Sequence, residues 1–180
     1  MAKLILKRFH CVIDTDEAGS ESPYFLTYVA DFATGRSELT MTRQGNWHNE
    51  VDRGEIWTVN HTVAQGFDFT PAHTLVLSAM VEEDEGLDIQ TGELPLIQQL
   101  LDAKVKGLRD AGATQVNGTV AATLRGTFKS AIALALATGS GASDDAMGVK
   151  RVTLKSQPGE LALVSFSGDT GLYRVRYGVA

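Results

Sequence analysis

The hydrophobic pattern of this 180-residue chain changes its period twice. Apolar residues alternate in short runs as far as Glu83, recur at helical spacing between Pro95 and Thr138, and alternate again from Val149 onward. Period two indicates strands with one buried face, whereas a spacing of three and four residues indicates amphipathic helices. The order of these patterns predicts a helical block inserted into a β-sheet protein.

Eight runs are typical of β-strands, and turn signals such as Gln157-Pro158-Gly159 and Gly168-Asp169 separate them. The predicted strands are Lys3–Ile13, Pro23–Phe32, Ser37–Thr42, Glu55–Val63, Thr74–Glu83, Val149–Lys155, Glu160–Ser167 and Gly171–Val179. Because short turns join antiparallel neighbours, the sequence predicts a mainly β fold, an eight-stranded antiparallel β-sandwich.

The alternation also predicts which side chains share a face of a strand. In the first strand the expected set is Ile5, Phe9, Cys11 and Ile13, with Lys7 as the exception. In the second strand it is Tyr24, Leu26, Tyr28, Ala30 and Phe32. In the last strand it is Tyr173, Val175, Tyr177 and Val179. Each set is expected to cover a core.

Two helices are predicted in the middle of the chain. The first, Pro95–Asp110, has a proline suited to a first turn and Gly112 as a stop signal. The second, Asn117–Thr138, carries one apolar stripe of Val120, Leu124, Phe128, Ile132 and Leu136. We expect this stripe to pack against the neighbouring helix and the sheet. The predicted organisation is a single β-sandwich domain over residues 1–180, with an α-helical hairpin inserted at residues 89–142.

The charge and the N-terminal sequence limit the partners and the location. A net charge of −6 argues against unaided binding to nucleic acid or to an anionic membrane. The uncharged end of the second helix, Ala131–Ala137, is too short for a transmembrane segment. The apolar patch at the N-terminus is too short for a signal peptide, which predicts a cytoplasmic location by default and leaves export by a signal-independent route open.

Acidic residues concentrate in three segments next to predicted strands. The stretch Asp14–Tyr24 holds four acids within eight residues, Glu82–Asp88 holds five, and Asp144 and Asp145 follow the helical block. Carboxylates this close repel one another unless a cation, a proton or solvent separates them. Calcium takes about six to eight oxygen ligands from flexible loops. We expect the three segments to meet around calcium, with solvated acidic loops or another metal such as magnesium as the alternatives.

With the helical block left out, the chain runs L-V-L-S-A-M-V-E-E-D-E-G-L-D and then S-D-D-A-M-G-V-K-R-V-T-L. This string resembles the third calcium-binding loop of a C2 domain, where a strand leads into two alternate acids, a short loop, another acid, two apolar residues and a glycine. The stretch Asp16–Tyr24 resembles the first loop of the same family. The resemblance covers the chain on either side of the helical block and implies a calcium-binding β-sandwich with a helical insertion in its third loop.

The resemblance implies metal-ligand roles for Asp16 in the first loop and for Glu82, Asp84 and Asp145 in the third. Ser22 stands where the family has a second aspartate in the first loop, so Asp14 or Glu21 would have to replace that ligand. Glu82 also departs from the usual aspartate. The predicted metal ligands are therefore Asp14, Asp16, Glu21, Glu82, Asp84 and Asp145.

The sequence predicts no catalytic residue. Its four histidines, His10, His48, His61 and His73, lack metal-ligand spacing, and the loop around His48 is typical of an exposed polar loop. The expected function is a non-catalytic calcium-binding module that interacts with a protein or phospholipid partner. Two alternatives remain: a membrane-active or toxin-like protein that uses the helical hairpin, and a metal-dependent hydrolase that uses the same carboxylates.

Overall fold

The structure is a computed structural model that describes residues 1–13, 23–43, 53–82, 89, 93–138, 145–167 and 171–180. At Glu82, Thr138 and Asp145 the description covers the backbone alone. The described residues form eight strands: β1 (Lys3–Ile13), β2 (Tyr24–Asp31), β3 (Ser37–Thr42), β4 (Ile56–Gln65), β5 (Thr74–Glu82), β6 (Asp145–Val152), β7 (Gly159–Ser167) and β8 (Leu172–Val179). Between β5 and β6 lie the helices α1 (Leu94–Asp110) and α2 (Gly118–Thr138).

The strands form two four-stranded sheets. The first sheet has the order β4-β1-β8-β7 and the second sheet has the order β3-β2-β5-β6. Every neighbouring pair is antiparallel. The predicted fold class, a mainly β eight-stranded antiparallel sandwich with an inserted helical hairpin, is confirmed.

Apolar residues of both sheets fill the space between them. This inner core includes Leu4, Phe9, Val63, Val175 and Tyr177 from the first sheet, and Phe25, Val29, Val76 and Met80 from the second. The set predicted for the last strand therefore faces the core, with Val179 partly buried at its margin. Burial of this apolar surface is the main stabilising term between the two sheets.

A second core lies on the outer face of the second sheet, where the helical hairpin packs. The sheet contributes Tyr24, Leu26, Tyr28, Leu75, Leu77, Ala79 and Val81. The hairpin contributes Ile97, Leu101 and Val105 from α1 and Val120, Leu124, Phe128 and Ile132 from α2. The expectation that the stripe of α2 packs against α1 and the sheet is confirmed. The molecule thus has three layers: sheet, sheet and helices.

The buried side chains of β1 do not follow the single alternating face that the sequence predicts. Leu4 and Leu6 are fully buried, whereas Ile5 is half-buried and Ile13 is 40% exposed, so the set Ile5, Phe9, Cys11 and Ile13 is wrong as a single face. The pairing of β1 with both β4 and β8 shifts between Leu6 and Arg8. An irregularity of this kind moves the following side chains to the other face of the sheet. Lys7, the residue that broke the alternation, marks its position.

Strand β6 begins four residues earlier than the sequence predicts. Asp145 and Ala146 pair with Glu82 and Val81, before a register shift in the pairing with β5. Gly148 near this shift has φ of 104°, a left-handed value that side chains rarely adopt. The irregular backbone at Gly148 interrupts the period-two pattern, so the sequence pattern predicts a later start for β6.

Hydrogen bonds to the Tyr177 hydroxyl link the two sheets inside the inner core. This oxygen lies 3.0 Å from Thr27 Oγ1 on β2 and 2.7 Å from Ser78 Oγ on β5. Burial raises the pKa of the Tyr177 hydroxyl, so it stays protonated and can serve as both donor and acceptor. The group fixes the position of β8 relative to the second sheet.

We expect Tyr177→Phe to lower the free energy of unfolding by about 1–2 kcal/mol, because it removes the shared partner of two buried hydroxyls. Thr27→Val and Ser78→Ala should each lower the free energy of unfolding by less, since the Tyr177 hydroxyl keeps one partner in each variant. Urea denaturation of the three variants measures the difference. Equal losses in all three would show that Tyr177 does not link the sheets.

Two glycines of the hairpin are expected to respond oppositely to alanine. Gly107 lies inside α1, and a Cβ there would have no neighbour within 4 Å, so Gly107→Ala should raise the free energy of unfolding by about 0.5–1 kcal/mol. Gly112 follows the end of α1 with φ of 92°, so Gly112→Ala should lower it by about 1 kcal/mol. Denaturant titrations of both variants test the assignment, which a gain at Gly112 would contradict.

Candidate functional site

The acid-bearing segments all adjoin strand ends at one end of the sandwich, here called the loop end. There β1, β3, β5 and β7 end, and β2, β4, β6 and β8 begin. In the second sheet Tyr24 pairs with Val81, and Thr42 pairs with Phe25. In the first sheet Leu172 pairs with both Ile13 and Ser167.

Aromatic contacts show that the loop ends of the two sheets lie together. The ring of Phe9 on β1 contacts Phe25 on β2, with centroids 5.6 Å apart, and stacks on Tyr173 of β8 at 5.7 Å. Phe25 also contacts Phe166 of β7 at 6.1 Å. These four residues lie within five positions of the strand ends. They form a rigid aromatic layer directly beneath the loop end, and aromatic pairs of this kind add to the stability given by burial alone.

Two of the six predicted metal ligands belong to described strands. Glu82 is the last residue of β5 and Asp145 is the first of β6, and they are direct register partners. The strand ends on the two sides of the helical block therefore meet at the loop end. The antiparallel pairing of β5 and β6 brings the backbones of Glu82 and Asp145 next to each other.

The other four predicted ligands, Asp14, Asp16, Glu21 and Asp84, lie outside the described residues. The strands that bound their segments are described, however. Asp14 directly follows Ile13, the last residue of β1, and Asp84 comes two residues after the end of β5. The loop around His48 also lies outside the described residues.

One residue between the acids of β5 and helix α1 has a defined position. Ile89 is 1% exposed and belongs to the outer core. Its backbone N–H donates a hydrogen bond to the Tyr24 hydroxyl at 3.2 Å, where β2 begins. This contact holds Ile89 against the start of β2.

Within the described ranges, no group of three or more histidine, cysteine, aspartate or glutamate side chains is placed to hold a metal. Cys11 is buried in the inner core, as expected from its strand pattern. The Thr42 hydroxyl at the loop end is buried, and no other described group hydrogen-bonds to it.

A polar anchor between α1 and the second sheet was missed by the sequence reasoning. Asp102 Oδ1 accepts hydrogen bonds from the Tyr28 hydroxyl at 2.8 Å and from Ser37 Oγ at 2.6 Å. Burial raises the pKa of Tyr28 above its usual range, and the bond to Asp102 raises it further. The available signal was the position of Asp102, an acid that directly follows Leu101 on the apolar stripe of α1.

A surface cavity of about 720 Å³ adjoins this anchor, and its walls carry both signs of charge. Asp102, Lys106 and Arg109 line it. Lys106 forms an ion pair with Asp110, and Arg109 Nε donates to the Phe32 carbonyl at 3.1 Å. Because these polar groups already have partners in the fold, the anchor is best explained as the attachment of α1 to the sheet.

No family model, curated protein or solved structure matches the chain. Residues Gly118–Ala137 of α2 are long and apolar enough to cross a membrane, by length and composition only, and 39% of the apolar window is buried in the fold. A core helix of a globular protein meets the same criteria.

We expect Asp102→Ala to lower the free energy of unfolding by about 2 kcal/mol, because it leaves the buried Tyr28 hydroxyl and the Ser37 hydroxyl without their acceptor. Asp110→Ala is the matched control on the same helix. This variant removes only the exposed ion pair with Lys106, so it should lower the free energy of unfolding by no more than about 0.5 kcal/mol. Urea denaturation compares the two, and equal losses would contradict the anchoring role of Asp102.

Proposed function

We propose that the chain is a non-catalytic calcium-binding module whose loop end holds the ion and interacts with a protein or phospholipid partner. The observation that carries this proposal is the pairing of Glu82 with Asp145, beside the pairing of Tyr24 with Val81. It brings the strand ends that carry all three acidic segments to one place. The proposed ligands are drawn from Asp14, Asp16, Glu21, Glu82, Asp84 and Asp145.

The electrostatics of the loop end support a cation there. Acidic residues at opposed positions of antiparallel strands destabilise a sheet unless positive charge compensates them, and Glu82 and Asp145 are opposed in this way. The chain places further acids immediately beyond β1 and β5. Binding of a divalent cation would lower this repulsion, and the binding free energy would stabilise the folded state.

The choice of calcium rests on the ligand chemistry. The clustered residues supply oxygen ligands, which suit hard cations such as calcium and magnesium. Calcium accepts larger and less regular shells than magnesium does, and ligands from separate connections between strands fit that preference. The resemblance to the first and third loops of a C2 domain points the same way. The strand pairing supports it, because the strand ends that flank these two segments lie at the same end of the second sheet.

The two alternatives have less support. A membrane-active hairpin needs an apolar helix surface that is free, but the stripe of α2 from Val120 to Ile132 is buried against the second sheet and α1. A metal-dependent hydrolase needs a base beside an open metal position. Among the described residues no feature favours that arrangement over plain binding.

The calcium proposal predicts a calcium-dependent gain in thermal stability. Relative to chelator, calcium at a hundredfold excess over its dissociation constant should stabilise the fold by about 2.7 kcal/mol. Asp84→Asn and Asp145→Asn, from the two sides of the helical block, should each abolish most of this gain. Scanning calorimetry in chelator, in calcium and in magnesium measures the three conditions.

The matched control is Asp110→Asn, which removes one exposed carboxylate at the far end of α1. It should keep the full calcium response. If the parent protein shows no calcium-dependent gain, or if Asp110→Asn loses as much of the gain as Asp145→Asn, the calcium site is not at the loop end. Greater stability of the loop-end variants in chelator would add that the acids repel one another when the ion is absent.

A further inference from the structure

A groove of about 440 Å³ runs between helix α2 and the edge strand β6, away from the Asp102 anchor. Its lining consists of Ala122, Arg125, Gly126, Lys129, Gly148, Val149 and Lys150. We call it the basic groove, because three of its lining residues are cationic and none is acidic. Val149 is buried beneath it in the outer core, so the floor is part of the folded body.

The cations of the basic groove lie near one another, and no acidic residue is among the described residues that line it. Arg125 and Lys129 lie one turn apart on the same side of α2, and like charges at this spacing destabilise a helix. Helix α2 contains no acidic residue to offset them. Within the described part of the chain, no side-chain hydrogen bond or ion pair involves Arg125, Lys129 or Lys150. By contrast, Arg36, Lys106 and Arg176 each form an ion pair.

The backbone of the groove is open to a ligand on both walls. Gly126 lies on the helix wall and Gly148 on the strand wall, and a Cβ at either position would have no neighbour within 4 Å. Strand β6 is also the outermost strand of the second sheet, so among the described residues its outer edge has no ladder partner. Unpaired backbone N–H groups at such an edge are donors for an acceptor-rich ligand.

The positive charge of the basic groove favours an anionic ligand. The chain as a whole carries −6, so a local group of cations is not a general property of its surface. A groove of this size matches a small ligand or a headgroup, since pockets for small molecules occupy about 300–1,000 Å³. Arginine and lysine beside open backbone N–H groups are the donors that phosphate groups use.

We propose that the basic groove binds a small ligand or headgroup that carries two or more phosphate charges. The site is separate from the proposed calcium site, because its strand wall begins three residues beyond Asp145, roughly 10 Å along β6. It does not depend on calcium, and it can be tested in chelator. Failure of one proposal therefore leaves the other intact.

The test is isothermal titration calorimetry with pyrophosphate at low ionic strength in the presence of chelator. The parent chain should bind, and Arg125→Gln/Lys129→Gln should weaken the affinity at least tenfold. The matched control is Lys3→Gln/Lys104→Gln, which removes the same charge at two exposed positions outside the groove. It should keep the affinity within about threefold, because only long-range attraction changes.

A second variant guards against loss of folding as the explanation. Gly126→Glu places a carboxylate on the helix wall while replacing a glycine by a better helix former, so α2 should stay folded. Its circular dichroism should match that of the parent, and its affinity for pyrophosphate should fall at least tenfold. Retained affinity in this variant would overturn the proposal.

Sedimentation with vesicles, again in chelator, distinguishes the source of the phosphate. Vesicles of phosphatidylcholine with a phosphatidylinositol bisphosphate, whose headgroup carries several phosphate charges, are compared with phosphatidylcholine alone. Anionic-vesicle binding that Arg125→Gln/Lys129→Gln abolishes would support the groove with a lipid headgroup as its ligand. Pyrophosphate binding without vesicle binding would support it with a soluble ligand. Binding of neither probe, or equal loss in the groove and control variants, would overturn the proposal.

Discussion

The fold depends on the second sheet being buried on both faces. Strand β2 has no exposed residue between Tyr24 and Asp31, because alternate side chains enter the inner core and the outer core. Strand β5 is buried in the same way from Thr74 to Val81. Burial of apolar surface contributes about 25 cal/mol per Å², so a bare outer face would forfeit much of the stability of the sandwich. The helical hairpin is therefore an integral layer, although the chain inserts it between two neighbouring strands.

The dimensions of the hairpin explain how it can be inserted without disturbing β5 and β6. Helix α1 has 17 residues and α2 has 21, which corresponds to about 25 and 31 Å. Helix α1 runs away from the loop end, since Ile89 contacts Tyr24 at the start of β2 and Arg109 contacts Phe32 just beyond its end. At the far end the Val116 N–H donates to the Ala72 carbonyl at 2.7 Å. Helix α2 then returns the chain to the loop end, where β6 begins opposite β5.

The sequence carries enough periodic information to predict the layers but not the local irregularities. The stripes of β2, β8 and α2 predict their buried faces because each runs regularly across one continuous core. The irregularity in β1 and the early start of β6 are not predicted, because each depends on pairing with strands distant in the sequence. Asp102 was missed for a related reason: its partners Tyr28 and Ser37 lie more than sixty positions away. The basic groove lies between α2 and β6, which are distant in the sequence, so the periodic pattern does not predict it either.

The acidic segments lie at the loop end, whereas the contacts that stabilise the fold lie in the core beneath it. Loops that hold clustered carboxylates carry electrostatic strain, and local segments of a protein can open without global unfolding. Here the acidic segments adjoin strand ends that are held by the aromatic layer of Phe9, Phe25, Phe166 and Tyr173. The Tyr177 hydroxyl joins the sheets farther from that end, on the other side of the same core. Because the stabilising contacts lie in the body of the sandwich, acids can accumulate at its end without loss of the fold.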